Sequence, residues 1–515
     1  MLGFSSHPRG LRTLFFTEMW ERFSFYGMRG LLVLFLTSMI QKGGMGLDDK
    51  TATAIYGLYT ASVYLASLPG GWVADRLIGA RKAVFTGGLF IIAGQFLLAV
   101  PTSTSFFLGL LMIILGTGLL KPNISVMVGQ LYPEGGVKQD SGFTIFYMGI
   151  NVGAMLGSFL VGYLGENINW RFGFAASGIG MIIGLIQLKL TGHHLGNIGL
   201  RKPEEAPEKK NWYILWGSLG ALVILVLLCC LGIIRINPLS LAQNATLVIV
   251  GLALLFFINA FFFAGLTRDE KKRVGVIGLL FVASAMFFSG FEQAGSSLNI
   301  FAERYTIREV GFLSNPVPAS WFQSLNPIFI ILFAPLVASL WPLLAKRNCN
   351  PPLIIKFAIG LILLALGFLV MAGGAQRVGE GNPVWPTWLI STYLIHTLGE
   401  LCLSPVGLST VSKLSPKRLV GQMMGIWFLA SALGNLVAGL VAGHISTADE
   451  AEAAQPTAIV QQTESAPGQT AEAAEPTPGS LMSGQFMRIV WFSFAVAALL
   501  LIVSKPVRKI TRQIE

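Results

Sequence analysis

Apolar runs of about twenty residues recur along the whole chain, and they constrain its fold more than any other feature. About 20 residues are needed for a helix to cross the hydrocarbon core of a bilayer. A transmembrane β-barrel would instead show alternating segments of about ten residues. The pattern therefore predicts an all-α polytopic membrane protein with fourteen helices. Their predicted spans are 13–40, 51–76, 82–101, 104–131, 140–164, 170–190, 212–234, 243–266, 273–302, 320–345, 352–373, 385–414, 418–446 and 484–504.

The composition agrees with a membrane protein. The chain is 53% hydrophobic and 12% charged, with a mean hydropathy of +0.67, whereas a soluble domain carries about 25% charged residues. A cleavable signal peptide would be apolar where this chain has Glu18, Glu21 and Arg22. We therefore expect the first helix to be its own insertion signal.

The basic residues outside the predicted helix interiors are unevenly divided between the two sides. If the N-terminus is cytoplasmic, the cytoplasmic segments carry 24 Lys and Arg and the other side carries 8. Basic residues concentrate on the cytoplasmic side of membrane proteins. The asymmetry predicts that both termini are cytoplasmic, and it explains the net charge of +11 without a nucleic-acid partner.

The fourteen predicted helices divide into three groups. Residues 1–195 and 273–515 each supply six helices, and residues 212–266 supply an inserted transmembrane pair between charged linkers. Two six-helix bundles are typical of a transporter built from repeated halves. Residues 449–483 are rich in Ala, Glu, Gln, Pro and Thr, so we expect a disordered external loop there.

The first predicted helix carries a stripe of charge. Glu18, Glu21, Arg22 and Arg29 fall on one helical face at about 100° per residue. Charged side chains within a membrane are costly and generally functional. The stripe predicts a polar pathway through the membrane, although a structural ion-pair network that fixes helix packing is the alternative.

The sequence does not favour an enzyme or a metalloprotein. No Gly-x-Ser-x-Gly or His-Glu-x-x-His motif and no paired intramembrane aspartates occur. The four cysteines, Cys229, Cys230, Cys349 and Cys402, show no metal-ligand or disulfide spacing. We expect no metal, no cofactor and no catalytic activity; a receptor or scaffold role stays open in principle.

Several motifs resemble those of known transporters. Asp75, Arg76, Arg81 and Lys82 lie after the second predicted helix, in a Gly-rich segment that resembles the cytoplasmic loop signature of the major facilitator superfamily. The segment Glu18-x-x-Glu21-Arg22-Phe23-x-x-Tyr26-Gly27 is similar to the first-helix motif of the proton-dependent oligopeptide transporter family. Further similar stretches are Gly70 to Gly94, Gly118 to Asn123, Phe143 to Met155, Phe291 to Gln293 and Gly399 to Pro405.

The resemblance implies proton-driven symport of di- and tripeptides by alternating access of two six-helix bundles. It also implies peptide-like drugs as ligands, a bacterial inner-membrane location, a monomeric functional unit and the proton gradient as the driving force. A symporter or antiporter of another small polar solute, such as nitrate, a drug or a peptide-like compound, is the alternative on the same fold.

The resemblance also assigns roles to residues. A peptide carrier must hold an ammonium and a carboxylate with fixed charges of opposite sign. Arg29 and Lys121 would face the carboxylate and Glu400 the ammonium. Further substrate-binding candidates are Tyr26, Tyr64, Asn151, Asn326, Ser404 and Trp427.

Proton coupling requires carboxylates whose charge changes during the cycle. The candidates are Glu292 and the pair Glu18 and Glu21 beside Arg22, with no choice among them. The resemblance further implies two gating salt bridges between the bundles, Arg29–Glu292 and Lys121–Glu400. Polar residues that merely join membrane helices are the alternative for the uncharged candidates.

Three positions depart from the family pattern. Position 25 is Phe where related bacterial transporters often have Tyr, and position 288 is Phe where some have Trp. Position 57 is Gly, where animal members carry a coupling histidine. We therefore expect proton coupling to depend on carboxylates.

Overall fold

The computed structural model describes residues 6–134, 136–201, 208–311, 315–347, 349–446 and 478–511. Within these ranges it contains fourteen long helices, two short ones and no sheet. The helices are α1 Arg9–Thr37, α2 Asp49–Val73, α3 Ala80–Ala99, α4 Ser103–Gln130, α5 Gly136–Tyr163, α6 Trp170–Thr191, α7 Lys209–Cys230, α8 Pro238–Phe262, α9 Arg268–Phe291, α10 Ser297–Arg304, α11 Leu325–Lys346, α12 Leu353–Gly379, α13 Thr387–Leu414, α14 Val420–Ser446, α15 Pro478–Ile502 and α16 Ser504–Thr511.

The lengths and apolarity of these helices fit a membrane. Among the described residues, eleven helices are long and apolar enough to cross a bilayer on their own. The other long helices are α1, α2 and α13, and α1 contains the charged stripe. Helices suit the bilayer because each satisfies its own backbone hydrogen bonds in the absence of water.

Polar residues set several helix starts. The side chains of Asp48, Thr102 and Asn237 accept hydrogen bonds from the first-turn N–H groups of α2, α4 and α8. Thr267 and Glu270 form a capping box at the start of α9. Such caps satisfy N–H groups that have no partner inside the helix.

Many helix ends lie a few residues from their predicted positions, and two of the differences change a predicted element. The predicted helix 273–302 is broken, because α9 ends at Phe291 and a 3-10 turn over Glu292–Gly295 separates it from α10. The last long helix begins at Pro478 rather than at residue 484, so the end of the predicted loop 449–483 is helical. The rest of that loop, up to residue 477, lies outside the described residues.

Each half of the chain has its own apolar core. Buried residues of α1 to α6 form two clusters, one around Phe23 and Phe174 and the other around Met127. Buried residues of the second half, from α9 to α16, form one cluster around Phe287, Phe357 and Phe368. These clusters hold the helices of each half together around a shared central space.

The pair α7 and α8 packs unequally. The described residues of α7 include none that is buried, so this helix presents apolar surface all around. Helix α8 buries one face, formed by Ala242, Ile249, Ala253 and Ala260. That face joins a cluster with residues of α2, α9 and α14, so α8 contacts both halves.

Fourteen crossings return the chain to the side on which it began. We call the side with both chain ends the terminal face and the other side the opposite face. The loops after α1, α5 and α10 lie at the opposite face, and those after α2, α6 and α13 lie at the terminal face.

Candidate functional site

A cavity of ≈ 140 Å³ lies between the two halves, and both contribute to its wall. Helices α1, α2 and α5 supply the residues of the first half, and α9, α11 and α13 supply most of those of the second. The polar and charged lining residues are Tyr26, Arg29, Tyr64, Tyr147, Asn151, Ser158, Glu292, Gln323, Asn326, Tyr393, His396 and Glu400. The apolar remainder includes Phe288, Phe291 and Ile330.

Arg29 and Glu292 form an ion pair across the two halves. Arg29 Nη2 lies 2.5 Å from Glu292 Oε2, and the two side chains are 10% and 6% exposed. Arg29 Nε also donates to the Tyr56 hydroxyl at 2.6 Å. Breaking such a pair by removing one charge leaves the other buried without a partner, which costs about 3–5 kcal/mol.

The break between α9 and α10 places Glu292 at the cavity. Glu292 opens the 3-10 turn that ends at Gly295. A Cβ atom at Gly295 would overlap the ring and hydroxyl of Tyr56. The small residue therefore lets Tyr56, which orients Arg29, approach the turn that carries the carboxylate.

Glu400 lies on the other side of the cavity, on α13. Asn326 Nδ2 donates to Glu400 Oε2 at 2.9 Å and to Thr397 Oγ1 at 3.1 Å. Among the described residues, no ion pair joins Glu400 to a cation within 4.0 Å. Its carboxylate is thus held by an amide and lines the cavity, with no basic partner in the described part of the chain.

Lys121 lies next to Tyr64 at the edge of this space. Its Nζ atom is 4.3 Å from the centre of the Tyr64 ring, a cation–π arrangement. Its positive charge acts on both Glu18 and Glu21. Lys121 therefore connects the cavity wall electrostatically with the charges of α1.

The charges of α1 form a buried cluster. Arg22 Nε lies 3.0 Å from Glu18 Oε1, and Arg22 also contacts Glu21. All three side chains are at most 3% exposed. Among the described residues, Glu18 Oε2, Glu21 Oε1 and Arg22 Nη2 have no hydrogen-bond partner. The cluster thus holds two carboxyl groups against one guanidinium and leaves polar atoms unsatisfied, which costs free energy when they are buried.

Ion pairs and hydrogen bonds join the two halves at the opposite face. Arg304 at the end of α10 binds Asp49 at the start of α2 through two hydrogen bonds of 2.7 and 2.8 Å. Closer to the cavity, Asn299 Nδ2 donates to the Gly30 carbonyl at 2.9 Å. These contacts close the space above the cavity.

A second contact at this face centres on Glu166, after α5. Its carboxylate accepts from the N–H groups of Ala319 and Ser320 at 2.6 and 2.9 Å and from the Ser320 hydroxyl at 2.5 Å. Arg308 Nη1 lies 3.9 Å from Glu166 Oε2. One carboxylate of the first half thus caps a helical turn of the second half.

The charged side chains between the end of α2 and the start of α3 either bind nearby backbone carbonyls or are exposed. Arg81 donates to the carbonyls of Gly192 and Gly196, which follow α6. Asp75 and Arg76 lie in a π-helical turn and are exposed. The described part of the chain contains no ion pair of Asp75 within 4.0 Å, and Lys82 is likewise exposed.

Comparison with known proteins identifies the family. A model of the POT family, PTR2, matches residues 81–459. The chain belongs to the POT family. The peptide transporter YePEPT of Yersinia enterocolitica subsp. palearctica is 43% identical over 456 residues, which cover 86% of this chain and 89% of that protein. A di-/tripeptide transporter of Lactococcus lactis subsp. cremoris is 37% identical, with 84% and 89% covered.

A solved POT structure has the same fold. The crystal structure of the peptide transporter POT in complex with sulfate superposes with a TM-score of 0.85 at 36% identity, covering 99% of this chain and 96% of that one. The architecture predicted from the sequence, two six-helix bundles with an inserted helix pair in the major facilitator fold, is confirmed. The chain is a multi-span membrane protein of a transporter family, not an enzyme.

Most of the predicted substrate-binding and ion-pair residues lie in or beside the central cavity. Tyr26, Arg29, Tyr64, Asn151, Glu292, Asn326 and Glu400 line it, and Lys121 contacts it through Tyr64. Trp427 instead packs in the apolar core of the second half, against Gly407. The side chain of Ser404 lies outside the described residues.

One of the two salt bridges suggested by the POT resemblance is present here. The pair Arg29–Glu292 is formed. No ion pair links Lys121 and Glu400 among the described residues, because Lys121 lies over Tyr64 and Glu400 binds Asn326. The Lys121–Glu400 pair stays a prediction for another state of the cycle.

Five polar lining residues were not among the predicted site residues. They are Tyr147, Ser158, Gln323, Tyr393 and His396. Tyr147 lies one turn before Asn151, whose amide donates to its carbonyl at 2.9 Å, and the spacing of four could have indicated a shared face. His396 stands four residues before Glu400 in the same way. Gln323 gave no such signal, since it lies in the 3-10 turn before α11.

The three departures from the POT pattern have local explanations. A Cβ at Gly57 would lie 3.1 Å from the Asn435 carbonyl and 3.2 Å from Gly439 Cα, so α2 and α14 touch where a histidine would not fit. Phe25 stacks on Tyr59 with ring centres 6.2 Å apart. Phe288 lines the cavity as an apolar wall.

Among the described residues, no group of three or more His, Cys, Asp and Glu side chains could hold a metal ion.

Proposed function

We propose that this chain is a proton-coupled symporter of di- and tripeptides. The observation that carries the proposal is that Arg29 of the first half and Glu400 of the second half line one cavity, with tyrosine and amide groups between them. A zwitterion whose side chains vary can be held only through its two termini and its backbone. Fixed charges of opposite sign at the two sides of the cavity meet that requirement.

The substrate roles follow from the chemistry of each group. Arg29, assisted by Lys121, would bind the peptide carboxylate, and Glu400 would bind the ammonium group. Asn151 and Asn326 would bond the backbone, with Tyr26, Tyr64 and Tyr147 as further hydroxyl partners. Phe288, Phe291 and Ile330 supply apolar wall, which tolerates different side chains because a methylene changes binding by only about 1–3 kcal/mol.

Proton coupling would use the buried carboxylates. Protonation of Glu292 removes its attraction for Arg29, which frees the guanidinium for a peptide carboxylate. Protonation within the Glu18, Glu21 and Arg22 cluster changes the field at Lys121, because the charges act on one another. Either step links proton entry to substrate binding, and no cofactor is involved.

Alternating access would be rocking of the first six helices, 1–195, against the last six, 273–515, with 212–266 as an inserted pair. The contacts at Asp49–Arg304 and Glu166–Ser320 would hold the opposite face closed. The excess of basic residues near the terminal face makes that face cytoplasmic. The protein would act as a monomer in the inner membrane and would also accept peptide-like drugs.

The proposal is tested in proteoliposomes that contain the purified protein. We expect an inward proton gradient to drive uptake of labelled dialanine above the internal concentration, and a protonophore to abolish the accumulation. Counterflow with di- and tripeptides, single amino acids and nitrate then defines the substrate class. Nitrate transport without dialanine transport, or hydrolysis of the peptide, would overturn the proposal.

A further inference from the structure

A second, larger cavity of ≈ 770 Å³ lies at the opposite face, between the two halves. The first half contributes residues of the connection after α1 and of the turn after α5. The second half contributes the end of α10 and the connection that follows it. The lining residues are Thr37, Ser38, Met39, Lys42, Glu166, Asn167, Trp170, Glu303, Arg304, Arg308 and Pro316.

Charges of both signs line this cavity, and three of the five are engaged. Arg304 binds Asp49, and Glu166 accepts the hydrogen bonds of Ala319 and Ser320. Arg308 donates to the carbonyls of Val317 and Glu303 at 2.8 and 3.2 Å. These groups hold the walls of the cavity together.

The two remaining charges of the lining, Lys42 and Glu303, form no close ion pair within the described residues. Among the described residues, neither the Lys42 ammonium nor the Glu303 carboxylate has an ion-pair partner within 4.0 Å. The positive charges of Arg304, Arg308 and Lys42 act on Glu303 across the cavity. Within the described residues, the cavity therefore offers one cation from the first half and one anion from the second that form no close ion pair.

An aromatic wall stands beside these charges. The Trp170 indole N–H donates to the Lys42 carbonyl at 3.2 Å, so the ring and the backbone of the lysine are fixed to each other. Met39, 62% exposed, adds a flexible apolar surface. Such a wall accepts varied side chains without demanding a particular shape.

We propose that this cavity is a first-contact site for short zwitterionic peptides on the external face of the closed carrier. The inference rests on the proposed function, since it needs that face to be external and the transported solute to be a peptide. Lys42 would attract the peptide carboxylate and Glu303 the ammonium, while the side chains lie against Trp170 and Met39. A solute of a single charge, such as nitrate, meets only one of the two partners.

The test measures protection of a cysteine in the cavity. Met39→Cys is made in a background in which the four native cysteines are replaced by serine, and an impermeant maleimide labels it from the external side. We expect dialanine to slow labelling in a saturable manner. Asn167→Cys, in the turn after α5, is a second reporter in the same cavity, and Ser103→Cys, which lines a different pocket, is the unprotected control.

Substitutions that remove a single charge show at which site dialanine binds when it protects the reporter cysteine. Lys42→Gln and Glu303→Gln should each raise the half-protecting concentration about two- to fivefold, the effect of an exposed ion pair. Arg171→Gln, an exposed external arginine outside the cavity, and Glu400→Gln in the central cavity should leave it unchanged. The inference would be overturned if Glu400→Gln abolished the protection while Lys42→Gln and Glu303→Gln preserved it. It would also be overturned if dialanine protected neither reporter cysteine. Dialanine uptake by the wild-type protein, measured separately, shows whether such a failure extends to the proposed function.

Discussion

Arg29 of α1 and Glu292 of the turn after α9 are joined at 2.5 Å, although 263 positions separate them in the chain. The pair connects the two halves at the wall of the central cavity and is almost excluded from solvent. Protonation of the carboxylate weakens its bond to the guanidinium. The guanidinium can then bind the carboxylate of a ligand instead of that of the protein. The pair is thus suited to couple the two events.

The first prediction concerns Glu292→Gln. The amide cannot take up and release a proton, so we expect gradient-driven dialanine uptake to fall to the level seen without a gradient. Counterflow should survive, because Arg29 and Glu400 are still present. Uptake assays with and without a pH gradient measure both effects, and Glu134→Gln, an exposed loop carboxylate, is the control. Full gradient-driven accumulation by Glu292→Gln would remove this residue from the coupling mechanism.

The second prediction concerns Glu400→Gln. The amide keeps an acceptor for Asn326 but loses the negative charge that faces the cavity. We expect weaker binding of dialanine by about 1.5–3 kcal/mol, the value of a hydrogen bond to a charged group, and a much smaller loss for N-acetylated dialanine. Competition in counterflow measures both peptides, with exposed Glu380→Gln as control. Equal losses for the two peptides would contradict the ammonium-binding role.

The third prediction concerns Glu166→Gln. The substitution removes one of the two carboxylate oxygens that accept hydrogen bonds from Ala319 and Ser320. A buried donor without a partner costs about 1–3 kcal/mol, so the equilibrium should shift toward a carrier whose opposite face is open. Spin labels at Ser103, where α4 begins, and at Asn382, between α12 and α13, are both at the opposite face and should show an added long-distance component.

The control for this variant is Asp48→Asn. Asp48 accepts from the Thr51 N–H within its own helix start and makes no contact between the halves in the described structure. Its substitution should leave the spin-label distances unchanged. If Glu166→Gln also leaves them unchanged, Glu166 does not hold this face closed.

The fourth prediction concerns the contact between α2 and α14. A Cβ at Gly439 would lie 2.5 Å from the Thr53 carbonyl and 2.9 Å from Gly57 Cα. Gly439→Ala must therefore separate the two helices, with an overpacking cost of about 1–3 kcal/mol. We expect a lower Tm and slower dialanine exchange.

Gly421→Ala is the matched substitution for this test. It lies on the same helix, and a Cβ there would meet nothing within 4 Å. It should keep the Tm and the exchange rate of the unmodified protein. Equal behaviour of the two variants would show that the helix contact is not tight in the membrane.

The helices and the positions of intramembrane charge were accessible from the sequence because both follow from local patterns. Apolar runs of helix length predicted the fourteen long helices, and charges inside such runs pointed to the cavity or its neighbourhood. Trp427 shows the limit of this reasoning: a large aromatic side chain suits a binding pocket or a core equally, and it lies in the core.

The sequence by itself determined a multi-span helical protein with basic residues concentrated at one predicted side and rare charges on particular helices, since bilayer thickness and the cost of burying charge act residue by residue. Only the tertiary structure decided which charge pairs form. Of the two pairs that the resemblance implies, Arg29–Glu292 is formed, whereas Lys121 lies over Tyr64. Glu166 caps Ser320, and Lys42 and Glu303 share a cavity without a close ion-pair partner among the described residues. Such pairings depend on how two helical halves rotate and close against each other, and that geometry is set by packing between distant segments.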